Sequence, residues 1–275
     1  MTASAADMQT LYKQQGYLTA VPVLSDTELQ AARAAFAELE REFGQEYTQY
    51  SLHNVHQQYD WVMALVKHPR VLEVVKTILG PDVLLLDSRF ICKYPTEHDS
   101  TMANDTTNNI TDGSISKNTP TLPYVAWHQD MRYWGLEGGP VLSVWLALDD
   151  SLKDNGALQV IPGSHCSGLL LHQTAIHAGN MLSVNQEIPE DLVQTARAII
   201  CPLSAGQISV HDGLLVHGSE PNMSDCRRCG FVMRFVPTCV YPVKDPDRPR
   251  RFFATVLVCG DDKLKHFSNT EAESI

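Results

Sequence analysis

In the segment LQAARAAFAELEREF, apolar residues recur at helical spacing, with Leu29, Phe36, Leu39 and Phe43 falling on one side. Ser25 precedes it and Glu28 follows Ser25 at the capping-box interval, so a helix is predicted to open there. PRVLEVVKTILG predicts a second helix, begun by Pro69 and stopped by Gly80-Pro81. Beyond it the texture changes. VLLLDSRFICKY, VLSVWLALDD, ALQVIPGSH, GQISVHDGLLVHG and RCGFVMRFVPTCVY are short β-rich runs broken by Gly, Pro, Asn and Asp. Helices first and strands later predict a mainly β sandwich or barrel with the N-terminal helices packed outside. Residues 96–121, TEHDSTMANDTTNNITDGSISKNTPT, are almost entirely polar and small, and predict a mobile loop.

Length and composition narrow this picture. A chain of 275 residues with 44% hydrophobic content suits one domain spanning 1–275 with an ample core. A net charge of -11 argues against a nucleic-acid partner, because phosphate neutralisation needs clustered Lys and Arg. No apolar run reaches the roughly 18 residues of a membrane span. MTASAADMQT has neither a basic region leading into an apolar core nor arginines, so neither a secretory signal nor a transit peptide is expected. The seven cysteines are scattered, and Cys226-Arg227-Arg228-Cys229 lacks the second pair a zinc site would need. A reduced, cytoplasmic protein is the expectation.

The candidate chemistry lies in VAWHQDMRYWG. On a strand, His128 and Asp130 share one face and Gln129 turns the other way. An imidazole and a carboxylate so placed are two parts of the 2-His-1-carboxylate set of non-haem iron enzymes, which leaves three positions open. By itself H-x-D is a weak motif, and a hydrogen-bonded polar strand pair is the better account of it without further support. Downstream, His211 and His217 each offer a third ligand. Arg227, Arg228 and Arg234 follow, and arginine suits the distal carboxylate of a 2-oxoglutarate cosubstrate through bidentate pairing.

WHQDMRYWG, VWLALDDSLKDNGALQVIPGSH and HGSEPNMSDCRRCGFVMRF, in this order and spacing, resemble the phytanoyl-CoA dioxygenase family of Fe(II)/2-oxoglutarate oxygenases. The resemblance runs from about Tyr12 to Tyr241. It implies a double-stranded β-helix, a cupin-like jelly roll, with Fe(II), 2-oxoglutarate and O2 as the cofactor and cosubstrates. By position it makes His128 and Asp130 metal ligands. His217, in His217-Gly-Ser219-Glu-Pro-Asn222, is then the third ligand in place of His211. It assigns Arg228 and Ser219 to the cosubstrate carboxylate, with Lys93 and Trp145 lining the same pocket. Gln129 is included with them, although its parity turns it away. The implied reaction hydroxylates an unactivated C–H bond and releases succinate and CO2. Halogenating relatives replace the carboxylate ligand by a small residue, so Asp130 points to hydroxylation.

For the substrate, Asp87, Arg89, Ile91 and Lys93 share a strand face, and Arg234 shares parity with Arg228. Arg89 and Arg234 suit an anionic group, unless Arg89 pairs with Asp87 structurally. Tyr133 and Trp134 would add an aromatic wall suited, with Asp87, to an amine. A small anionic or zwitterionic metabolite is the expectation, an aminoalkylphosphonate being one form. The alternatives are an acyl-CoA or amino-acid hydroxylase of the same family, or a non-catalytic 2-oxoglutarate-binding module. His53 and His56 have no partner motif, His172 is read as solvated, and Asp149 as part of a solvated turn.

Overall fold

A computed structural model describes residues 4–95, 122–243 and 252–267. The predicted loop at 96–121 lies outside these residues. The N-terminal part contains α1 (Ala5–Gln15), β1 (Tyr17–Pro22), α2 (Asp26–Phe43), α3 (Gln45–Tyr50), α4 (Asp60–Val66) and α5 (Pro69–Leu79). Strands dominate thereafter: β2 (Val83–Lys93), β3 (Val125–His128), then the short α6 (Met131–Trp134), β4 (Leu136–Glu137), β5 (Leu142–Ala147) and β6 (Gln159–Val160). They continue with β7 (Gln173–Thr174), β8 (Gln186–Glu187), β9 (Ile199–Ile200), β10 (Gln207–Asp212), β11 (His217–Ser219), β12 (Arg228–Pro237), β13 (Tyr241–Pro242) and β14 (Val256–Cys259). The expected capping box opens α2, with the Ser25 hydroxyl accepting from the Glu28 N–H and the Glu28 carboxylate accepting from the Ser25 N–H. Pro69 and Gly80 bound α5 as expected.

The fold is mainly β. A large sheet runs in the order β1-β10-β5-β12-β2-β14, and a smaller one in the order β3-β11-β6-β9. The pairs within both are antiparallel. Side-chain alternation divides the large sheet into two unlike faces. Val144 and Leu146 of β5, Ile208 and Val210 of β10, Phe231 and Met233 of β12, and Phe90 of β2 join one apolar cluster with the helices. Helix α2 contributes Leu29, Ala32, Phe36 and Leu39 to it, and α5 contributes Val71, Val74 and Val75. The opposite face carries Asp87, Arg89, Lys93, Ser143, Trp145, His211, Arg228 and Arg234, the polar inner surface.

Phe43, expected on the buried stripe, is instead 39% exposed and stacks on Tyr47 at 5.2 Å. It is the last residue of α2. No helix among the described residues is long and apolar enough to cross a membrane.

Phe36 is fully buried, with its ring centroid 4.9 Å from Phe90, which in turn lies 4.6 Å from Phe231. Phe36→Ala is expected to cost about 3–5 kcal/mol, because the aromatic stack between helix and sheet cannot close over the lost volume. Chemical denaturation should show this as a lowered midpoint with an unchanged slope.

Candidate metal centre and adjoining pocket

The strand expected to carry H-x-D ends one residue into it. β3 stops at His128, and Asp130 takes helical angles, φ -58° and ψ -37°, at the head of α6. The two side chains therefore meet through a strand-to-helix turn and not through strand parity. The turn is tied down at Gln129, which is fully buried. Its amide nitrogen donates to the carbonyls of Gly168 and Leu214, and its amide oxygen accepts from the Leu170 N–H. Gln129 is thus committed to the backbone and stands apart from the metal and cosubstrate groups. His172, read from sequence as solvated, accepts the Gln129 N–H at 3.1 Å and belongs to the same turn.

His217 opens β11 directly opposite His128 of β3. One donor atom each from His128, Asp130 and His217 lie within 4.8 Å of one another, and all three residues are buried. His128 Nδ1 lies 2.8 Å from the Ala126 carbonyl and His217 Nδ1 lies 2.9 Å from the Leu215 carbonyl. A carbonyl only accepts, so each Nδ1 carries a proton and each Nε2 is the ring nitrogen left to face a metal. Burial first, then the neighbouring His128 and His211, hold His217 well below the usual imidazole range, and so neutral. Burial pushes the Asp130 carboxyl up, but Arg234 and the contacts with His128 and His211 outweigh it and hold the group well below the usual carboxylate range. Two imidazoles and a carboxylate converge in a space closed to solvent. That donor set fits Fe(II).

His211 lies behind the carboxylate, its Nε2 3.7 Å from Asp130 Oδ2 and its ring 4.4 Å from that of His217. Neither of its ring nitrogens has a hydrogen-bond partner among the described residues.

Lys93 and Arg228 sit directly opposite each other on β2 and β12, 1% and 3% exposed. Lys93 Nζ donates to the Ser219 hydroxyl at 2.6 Å and to the Ser219 and Glu220 carbonyls. Arg228 Nη1 donates to the Gly156 carbonyl at 2.7 Å, and its guanidinium lies 5.1 Å from the centre of the Trp145 ring. Its Nε is buried without a partner. Burial, and then Arg228 itself, lowers the Lys93 ammonium well below its ordinary range, and burial brings Arg228 down to about 10. No carboxylate lies within salt-bridge distance of either among the described residues. Buried cations without a counter-charge are expensive, and an anion delivered to them offsets that cost. The pair fits the distal carboxylate of 2-oxoglutarate. Two glycines that sequence reasoning passed over shape this cradle. A Cβ on Gly230 would fall 2.0 Å from the Trp145 ring, and one on Gly156 would fall 2.3 Å from the Glu220 carbonyl.

A cavity of about 530 Å³ adjoins the centre, lined in part by Tyr50, His53, Asp87, Arg89, Asp130 and Tyr133. Trp134 and Arg234 also face it. Asp87 pairs with His53 Nε2 at 3.0 Å and with Arg234 Nη1 at 3.6 Å. Arg234 also approaches Asp130 at 3.5 Å and lies over the Trp134 ring. It therefore faces two carboxylates and is not an available cation. Arg89 is different. It lies 4.1 Å over the Tyr50 ring, its Nε is buried without a partner, and no carboxylate pairs with it among the described residues. Tyr50 and His53 carried no sequence signal, since they come from α3 and the irregular segment after it. Asp149, read as a solvated turn, instead pairs with Arg227 at 2.7 Å, and Arg227 also reaches Glu40 of α2. Arg227 thus joins helix to sheet and takes no part in the pocket.

Comparison with known proteins follows the same lines. The profile of phytanoyl-CoA dioxygenase (PhyH) matches residues 12–230. Phytanoyl-CoA dioxygenase domain-containing protein 1 of Bos taurus is 32% identical over 113 residues, 41% of this chain and 39% of that protein. The probable alpha-ketoglutarate-dependent hypophosphite dioxygenase of Stutzerimonas stutzeri is 20% identical over 69% of this chain and 58% of its own length. These two matches span less than two thirds of those relatives. L-proline trans-4-hydroxylase of Streptomyces griseoviridis is 25% identical over 96% of this chain and 99% of its own. Among solved structures, the apo form of the non-heme monooxygenase ThoJ is 26% identical with a TM-score of 0.70, covering 93% of this chain and 85% of that one. The epimerase SnoN, solved with Fe3+, alpha-ketoglutarate and nogalamycin RO, has a TM-score of 0.63 at 17% identity, over 90% of this chain and 93% of that one, and shares the fold.

Gly230→Ala is expected to destabilise the protein by about 1–3 kcal/mol, because the new methyl and the Trp145 indole claim the same space. Denaturant unfolding followed by tryptophan fluorescence checks both the loss and the displaced indole.

Proposed function

The chain belongs to the phytanoyl-CoA dioxygenase family, and from that premise we propose that it is an Fe(II)- and 2-oxoglutarate-dependent dioxygenase hydroxylating a small anionic or zwitterionic metabolite. One observation carries the reading: a buried two-histidine, one-carboxylate cluster and a buried cation pair without a counter-anion lie on the inner faces of the two sheets. In this reading the two sheets are the halves of a double-stranded β-helix. His128, Asp130 and His217 hold the iron. Arg228 and Lys93 receive the distal carboxylate of 2-oxoglutarate, Ser219 orients Lys93, and the Trp145 indole walls the cradle. The bound iron, with 2-oxoglutarate and O2, supplies the oxidation of an unactivated C–H bond, with release of succinate and CO2. The protein's part is to orient both substrates and keep water from the reacting atoms.

The cavity lining supports an ionised substrate of small size. Arg89 offers the anion a guanidinium already stacked and partly desolvated, while the Tyr133 ring favours a cationic group nearby. An aminoalkylphosphonate satisfies both ends. An amino acid is the second reading, favoured by the similarity to a proline hydroxylase along nearly the whole chain.

A succinate-release screen with Fe(II), 2-oxoglutarate and O2 is expected to show turnover with aminoalkylphosphonates. Turnover confined to amino acids selects the second reading, and none with any small ionised compound removes both. Arg89→Gln should raise the KM of the accepted substrate by about tenfold or more, as expected for a lost charge-assisted contact, while leaving the 2-oxoglutarate KM near its original value. Arg228→Ala should do the reverse, acting mainly on the 2-oxoglutarate KM. If each substitution moved both constants equally, the separation of the two sites would be refuted.

A further inference from the structure

Four inner-face residues form one transverse row in the large sheet. His211 of β10 is directly opposite Ser143 of β5. Ser143 is directly opposite Arg234 of β12, and Arg234 is directly opposite Asp87 of β2. The first three converge on a single atom, Oδ2 of Asp130, which arrives from the other side of the interior. The Ser143 hydroxyl donates to it at 2.5 Å, Arg234 Nε stands 3.5 Å away, and His211 Nε2 is at 3.7 Å. The other oxygen, Oδ1, is 3.5 Å from His128 Nε2, on the side of the two histidines. Ser143 is fully buried, so no water competes for its proton.

Resting on the reading above, we propose that Ser143 is a positioning residue that holds Asp130 by Oδ2, so that the carboxylate offers the metal one oxygen and not two. The consequence is a count of positions. Two imidazoles and one oxygen leave three positions of an octahedral ion open, which is what a chelating cosubstrate and O2 require. A carboxylate free to rotate could place both oxygens on the metal and close one of them. A hydroxyl donating to a buried carboxylate is a strong, directional hydrogen bond, and Arg234 behind it balances the charge without competing for Oδ1. Arg234 is in turn fixed by Asp87, which His53 holds from the cavity side. The row therefore sets the aim of the ligand from the sheet opposite the one that supplies the histidines.

The test uses the full-length protein, stripped of metal by chelation and titrated with Mn(II). The readouts are binding affinity and the water-proton relaxation caused by bound Mn(II), which scales with the number of coordinated waters. Ser143→Ala is expected to weaken Mn(II) binding roughly 10- to 100-fold, the range found for partners of metal ligands. Relaxation at saturation should fall by about a third, as one of three open positions closes. Ser143→Thr keeps the hydroxyl and should restore both. An alanine variant that binds Mn(II) as the wild type does, or a threonine variant as impaired as the alanine one, overturns the proposal. His217→Ala separates this from the broader reading. If wild type binds Mn(II) no better than His217→Ala does, the metal centre itself is wrong and the role of Ser143 falls with it.

Discussion

On β10, β5, β12 and β2 the side chains beneath helices α2 and α5 are mostly apolar, because a polar group there needs a partner, as Ser88 finds in His56 and Asp212 in Tyr12. The intervening side chains are then free to be polar, provided they satisfy one another across the interior. Both consequences appear in single strands. In β12, Phe231 and Met233 pack under the helices while Arg228 and Arg234 face inward. In β5, Val144 and Leu146 pack outward while Ser143 and Trp145 face in. Arg228, Arg234, Ser143 and Trp145 thus stand on the sheet that the helices support with the large apolar cluster, where precise placement is least costly to maintain.

The inner face is organised by charge balance. Asp130, Arg234, Asp87 and His53 form a chain in which each member meets a neighbour of opposite character. Lys93 and Arg228 form no such chain; their hydrogen bonds go to neutral groups. The contrast separates charges balanced within the protein from those without a counter-charge among the described residues. It also separates Arg234 from Arg89, two arginines that look alike along the sequence. One is bound between carboxylates and the other is stacked on Tyr50, with its charge still available.

The smaller sheet contributes little area but supplies both histidines, set directly opposite each other on β3 and β11. Neither sheet holds the centre alone, since the carboxylate between those histidines is held by side chains of the large sheet. Metal affinity should accordingly be coupled to the packing of the sheets, as it is wherever ligands converge only on folding.

The sequence by itself determined helices α2 and α5, through capping and apolar period, and the mainly β remainder, through short runs between turn residues. It also offered residue types able to hold iron and a dicarboxylate, while the choice of His217 over His211 and of Arg228 among the arginines came from the family resemblance. Parity along β2 placed Asp87, Arg89 and Lys93 on one face correctly, since strand alternation is a local property. What local reasoning could not supply was any fact set by a neighbour in space. The turn that ends β3 at His128 depends on Gln129 finding the carbonyls of Gly168 and Leu214. The approach of Ser143 to Asp130, the commitment of Arg234 and the availability of Arg89 depend on register between strands far apart in the chain. Tertiary structure decided these, because hydrogen bonding and charge pairing in a buried space depend on distances that the order of residues does not contain.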